Sequence, residues 1–296
     1  MRYGFSCVIA LGAAAMLAAP AFAADTVIYN NLTQNNLMAV ATRPDSAGKF
    51  EIEAGDDFFL GAESLVNTAK FVGLIVPGAT APSITNVVVE IYRVFPNDSD
   101  VNRTSGPPTF STPNVPTRVN SPSDVAFDSR ESPTALTFSE STLNPSFTAL
   151  NSVQPGGIHP MPGQTTGGNG SLTGQEVELD VTFTTPFDLP PDHYFFVPQV
   201  EVNDGGEFYW LSASRPIMGA GTTPFPMGVT DLQAWTRDAM LDPDWLRVGT
   251  DIVGGGAAAP TFNTAFELEG RVPEPSTVVL TATGVLALIG IRRRRS

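Results

Sequence analysis

The residues of this 296-residue chain that could do chemistry are few. It holds one cysteine, Cys7, and two histidines, His159 and His193, which leaves little for nucleophile, general-base or zinc work. His159 lies among the prolines of a Gly-rich stretch, and His193 opens an apolar run behind Pro190-Pro191-Asp192. Neither a Gly-x-Ser-x-Gly elbow nor a His-Glu-x-x-His pair occurs, so a Ser-His-Asp hydrolase and a zinc peptidase have no support. Oxygen ligands are better represented. Asp98-Ser99-Asp100-Val101-Asn102 begins like a calcium loop, but Arg103 stands where an EF-hand needs Gly and Thr109 where it needs an acid. Asp98 and Asp100 therefore read either as a looser Ca2+ site, the one cofactor suggested, or as an Asx-rich turn closing the strand before them. Trp210, Trp235 and Trp245 gather in the C-terminal third. On a β-sandwich they would either stack on the sugar rings of an extracellular polysaccharide or pack a core.

One carboxylate pair remains. Glu178-Leu179-Asp180-Val181-Thr182 places two acids on one strand face and resembles the Glu-x-Asp-x-Glu strand of laminarinase-like glycoside hydrolases. That resemblance would make Glu178 the nucleophile, but the general acid's position holds Thr182. Retaining hydrolysis needs two carboxyl groups about 5–5.5 Å apart with one kept protonated. The expectation is a non-catalytic protein, with a polysaccharide-acting, glycoside hydrolase-like enzyme as the alternative.

Charge narrows the partners. The formal net charge is −14, and leaving out Arg2, Glu274 and the four terminal arginines leaves 11 basic and 29 acidic residues, near −18. So acidic a body disfavours nucleic acid and anionic lipid, which need clustered Lys or Arg.

The elements that must position these residues are strands. Residues 84–95 put Val87, Val89 and Ile91 on one face and Glu90 and Tyr92 on the other. Residues 176–183 alternate Val177, Leu179, Val181 and Phe183 with Glu178, Asp180 and Thr182. Further strands are expected at 26–32, 69–76, 194–202, 207–214, 232–238, 246–253 and 262–269, with a hairpin turn at Asp204-Gly205-Gly206. Irregular loops are expected near 97–122, with five prolines, and near 151–174, with seven glycines and three prolines. No long helical period and no repeat of 20–50 residues appears. Residues 24–271 thus read as one all-β domain, an antiparallel β-sandwich of jelly-roll type.

Both ends carry addresses. Residues 1–23 have the parts of a secretory signal peptide: Arg2, an apolar stretch at 8–19, and Ala21-Phe22-Ala23 as the cleavage site. Cleavage after Ala23 would need Sec-type export machinery and signal peptidase, and would remove Cys7. At the other end Pro273, Glu274 and Pro275 precede fifteen uncharged residues, 277–291, and then Arg292, Arg293, Arg294 and Arg295. As a helix the apolar run would span about 22 Å of the roughly 30 Å of a bilayer's hydrocarbon. The arginines would stay cytoplasmic and leave the prolines accessible outside. Residues 272–296 resemble the PEP-CTERM sorting signal of exported bacterial proteins. The body is similar to the extracellular domains of such proteins, through Val89-Glu90-Ile91-Tyr92-Arg93-Val94-Phe95 and Pro243-Asp244-Trp245-Leu246-Arg247-Val248-Gly249-Thr250. That resemblance implies processing by an exosortase-type membrane protease. It implies export, transient anchoring in the inner membrane, and a final place at the cell surface or in the extracellular matrix. A permanent membrane anchor is the competing reading of the same tail.

Overall fold

The computed structural model describes residues 24–46, 48–103, 115, 117–158, 165–214, 232–255 and 260–272. The expected signal peptide with Ala21 and Ala23, His159, and the expected sorting motif with Pro273, Glu274, Pro275 and Arg292–295 lie outside them. Among the described residues no helix is long and apolar enough to cross a membrane.

The described chain is all-β, in two sheets. The larger holds β1 (Thr26–Asn30), β2 (Gln34–Ala41), β4 (Ser64–Val76), β7 (Leu136–Ala149), β8 (Ser152–Val153), β9 (Leu172–Leu189), β11 (Glu207–Ala213), β14 (Asn263–Thr264) and β15 (Phe266–Arg271). The smaller runs β13 (Leu246–Arg247), β12 (Trp235–Asp238), β3 (Ile52–Phe59), β10 (His193–Val202), β5 (Ile84–Arg93), β6 (Asp128–Glu131).

Aromatic rings join the sheets. Phe196 of β10 stacks on Phe266 of β15 at 5.1 Å and meets Trp210 of β11 edge-on at 5.9 Å. Phe58 of β3 reaches Phe266 at 6.3 Å. Each such ring taken from water contributes about 1.5–3 kcal/mol. One polar bolt crosses the same gap. The carboxylate of Asp56, wholly buried on β3, accepts hydrogen bonds from Asn263 Nδ2 at 3.0 Å and the Thr264 amide at 2.7 Å.

The alternation expected at 84–95 and 176–183 is present: Val87, Val89, Ile91, Val177, Leu179, Val181 and Phe183 all face the core. Four elements differ from expectation. β2 is a full strand where none was expected, because Met38, Ala39, Val40 and Ala41 are buried on both faces and so show no alternation. β7 runs through Pro145, which falls in a bulge between Asn144 and Phe147 where the register with β9 shifts. The strand expected at 246–253 is only two residues long. Its remainder curls into a helical turn, Val248–Val253, because the Asp251 carboxylate accepts from the Arg247 amide and side chain.

The fourth is the Asp204-Gly205-Gly206 turn, which makes no hairpin. It carries the chain from β10 in the smaller sheet to β11 in the larger, and it locks against the turn that leads from β4 to β5. Ser83 and Asn203 exchange hydrogen bonds, Ala79 N–H donates to Asp204 O at 3.1 Å, and a Cβ on Gly78 would fall 1.9 Å from that carbonyl.

Candidate functional site

β10 places consecutive residues on opposite faces, so Phe196 enters the core between the sheets while Phe195 does not. Phe195 joins Tyr92, Val197, Trp235 and Trp245 in a second cluster on the outer face of the smaller sheet. The strand face that carries Glu90 and Tyr92 is therefore covered, and Tyr92 is only 3% exposed.

Charged groups converge there. Cross-strand register sets Arg237 of β12 opposite Glu53 of β3. Arg237 Nε donates to Glu53 Oε2, and Nη2 donates to Glu53 Oε1 at 3.0 Å and to the Tyr92 hydroxyl at 2.8 Å. Nη1 donates to the carbonyls of Asp124 and Pro243 at 3.0 and 3.1 Å, and it lies 2.9 Å from Asp242 Oδ1. The guanidinium also sits 4.4 Å over the Trp245 ring, an aromatic face that favours a planar cation. The Tyr92 hydroxyl is 2.6 Å from Glu53 Oε1 and 3.0 Å from Glu90 Oε2, with one proton for the two. Glu51 accepts from Gln199 at 2.8 Å.

Titration follows from this crowding. Burial, with the Glu53 charge next, pushes the Glu90 carboxyl up to about 8. Burial also lifts Glu51 above the usual carboxylate range. Burial works against the Arg237 charge, but the Glu53 carboxylate outweighs it, so the guanidinium titrates above its ordinary value.

A proton-holding Glu90 beside a second carboxyl group, Glu53, resembles an acid and a nucleophile in composition, but not in access. Both Glu53 oxygens are occupied and the residue is 3% exposed, so no lone pair faces a substrate. The oxygens of Glu51, Glu53 and Glu90 lie within 4.8 Å of one another, yet the guanidinium already fills the role a divalent cation would take.

The second constellation lies at the far end of β10. His193 Nε2 is 3.0 Å from Asp57 Oδ2, and its ring stacks on Phe59 at 4.0 Å. Burial pushes the imidazole down to about 4, opposed by Asp192, so it is neutral at pH 7 and donates to the carboxylate. His193 borders a cleft of about 700 Å³, largely apolar, with Ile28, Phe59, Leu60, Ser64 and Val272 in its wall. The Ser64 hydroxyl donates to Ala62 O at 3.0 Å rather than to the imidazole.

The residues singled out from sequence fall elsewhere. Both oxygens of Asp98 accept from Arg93 at 2.7 Å, and those bonds hold its carboxyl below the usual range. Asp100 Oδ1 accepts the Asn102 amide at 2.9 Å. Asp98 is thus engaged by Arg93, while Asp100 closes an Asx-type turn. The three tryptophans are corrected. Trp210 is buried between the sheets, Trp235 and Trp245 under the outer cluster, and none is more than 2% exposed, so no ring face is open to a sugar. Glu178 and Asp180 do share the outer face of the larger sheet. Asp180 lies 3.8 Å from Lys70, and Glu178 borders a shallow depression of about 370 Å³.

Glu53, Glu90 and Arg237 were missed. The signal available was charge at alternate positions of otherwise apolar strands: Glu51 and Glu53, Glu90 and Tyr92, Trp235 and Arg237. What brings them together is the order β12-β3-β10-β5, which no local pattern carries.

Fold and site together define an all-β protein of two sheets with a largely buried ionic cluster centred on Glu53 and Arg237. Compared with protein-family models, with curated proteins and with solved structures, the chain matches none.

Proposed function

We propose that this is an exported, non-catalytic protein of the cell surface or extracellular matrix, a jelly-roll body delivered and sorted by its two ends. The observation that carries the reading is the junction of those ends. β1 and β15 pair antiparallel with Thr26 opposite Gly270, and Arg271 Nε lies 3.8 Å from Asp25 Oδ1. The residue that follows the Ala23 cleavage site and the residue that precedes Pro273 therefore leave one corner of the larger sheet side by side. A body held that way presents a single corner to a membrane, whether through the signal peptide during export or through the tail afterwards. The sorting tail is the segment with Pro273, Glu274, Pro275 and Arg292–295, and the partner is an exosortase-type protease. The jelly-roll assignment is supported by β3, β4 and β5, and then β9, β10, β11 and β12, which alternate between the sheets.

Polysaccharide association is the proposed biochemical role, with the buried tryptophans replaced by the outer face of the larger sheet. There the register sets Thr137 beside Thr182, Ser139 beside Asp180 and Ser141 beside Glu178, rows of hydroxyl and carboxylate groups that can hydrogen-bond a sugar chain.

Intact-mass analysis of the exported protein from an exosortase-bearing host tests the sorting. A species starting at Ala24 and ending near Pro275 is expected. Retention of Arg292–295 would make the tail a permanent anchor and overturn this reading. Binding to matrix polysaccharides, weakened by Asp180→Ala with Glu178→Ala, tests the second part; no binding would leave a structural role alone.

A further inference from the structure

The outer cluster holds more carboxyl groups than its one guanidinium can neutralise. Arg237 is spent on Glu53, and Asp242, which also reaches the guanidinium, is half in solvent at 56% exposure. Glu90 faces Glu53 from β3 and Glu51 just before it, Tyr92 on its own strand, Arg237 from β12, and the uncharged Val197 and Gln199 from β10; Glu131 of β6 bonds outward to Asn86. The Tyr92 hydroxyl has one proton and two carboxylates in reach, so Glu90 can be stabilised there only by keeping a proton of its own.

The same cluster is a fastening. Arg237 donates to the Asp124 carbonyl, in the described residues 117–127 that lead into β6, and to the Pro243 carbonyl in the turn after β12. Trp245 Nε1 donates to Ser123 O at 3.1 Å. Beside it Asp124 pairs with Arg118 and with Arg103, the latter at 3.0 Å. One guanidinium thus bonds to both segments, beside main-chain bonds from the Ser123 amide to Arg93 O at 2.8 Å, the Phe127 amide to Ile91 O at 2.7 Å and the Ala239 amide to Glu51 O at 3.2 Å.

We propose that Glu90, Glu53, Tyr92 and Arg237 form a proton-dependent clasp that helps to fasten residues 117–127 and the 239–245 turn to the sheet, and that loosens when Glu90 ionises. Ionised Glu90 would repel Glu53 and compete for Arg237, weakening the two carbonyl contacts. The window follows from the direction of the shift. A carboxyl raised from 4.5 to about 8 stabilises the folded state fully below the lower value, and that contribution is lost as pH climbs through the upper one. The clasp is closed in acid and slack in mild alkali, a device that a protein facing its surroundings can use. It stands whether or not the sorting reading holds.

Hydrogen exchange of the full chain in detergent, corrected for the intrinsic rate, tests it. Amides of residues 117–127 should exchange roughly tenfold faster or more at about pH 9 than at about pH 6. Glu90→Gln, which carries the proton's hydrogen bond permanently, should hold that change to within about twofold. Equal pH dependence in wild type and E90Q overturns the clasp, as does a wild type with none. Should E90Q fail to fold, infrared spectroscopy of the wild type decides: a carboxylic-acid band present at neutral pH and gone by about pH 9 supports the proposal, and its absence at neutral pH refutes it.

Discussion

Arg237→Met isolates the energetics of the outer cluster. The side chain is 5% exposed and its guanidinium meets Glu53 twice, the Tyr92 hydroxyl, and two main-chain carbonyls. Methionine fills much of the same volume, so the change is mainly electrostatic. It leaves the Glu53 carboxylate, 3% exposed, with the Tyr92 hydroxyl as its remaining partner. Breaking a buried pair in this way costs about 3–5 kcal/mol, and the two orphaned carbonyls add to it. For a body of this size each kcal/mol moves the thermal midpoint by about 2–4 °C, so a drop of roughly 6–20 °C is expected. Urea unfolding at neutral pH, followed by tryptophan emission, measures the free energy directly. The double variant Glu53→Leu with Arg237→Met should recover most of the loss, because the penalty belongs to the stranded charge and not to the missing contact. A single-variant cost under about 1 kcal/mol, or a double variant as unstable as the single, would refute the reasoning.

Other outcomes follow from the same structure. His193, held down to about 4 against 6.5 when free, destabilises the fold as pH falls through that interval, by up to about 3 kcal/mol; His193→Gln should flatten stability there, and imidazole NMR should report the depressed value directly. Gly78→Ala drives a Cβ to 1.9 Å from the Asp204 carbonyl, so denaturant unfolding should show a loss of about 1–3 kcal/mol while Gly61→Ala, with nothing near, stays close to wild type. Oligosaccharide titration should leave tryptophan emission unmoved, since Trp210, Trp235 and Trp245 are buried; a saturable shift would mean that a ring is reachable.

Much of the fold is legible without coordinates because period-2 burial is a local property. Val87, Val89 and Ile91 announce β5, and Val177 to Phe183 announce β9, since one face of each must leave water. β2 escapes because Met38 to Ala41 are covered on both sides. The Asp204-Gly205-Gly206 turn reads as a hairpin because its residues suit a tight reversal, whatever sheet the chain enters next. The candidate site is legible only in its parts.

By itself the sequence determined the all-β class, the acidic balance and the scarcity of nucleophiles, all properties of composition and local order. Tertiary structure alone decided which charges meet. Glu53, Glu90 and Arg237 are far apart along the chain, and pairing β3 with β12 and β10 with β5 sets them within hydrogen-bonding reach of one tyrosine. It also decided that the tryptophans pack, because covering both faces of the smaller sheet leaves their rings no solvent to face. A carboxylate's chemistry depends on the dielectric and the charges around it, and those neighbours are assembled by strand order rather than by spacing in the chain.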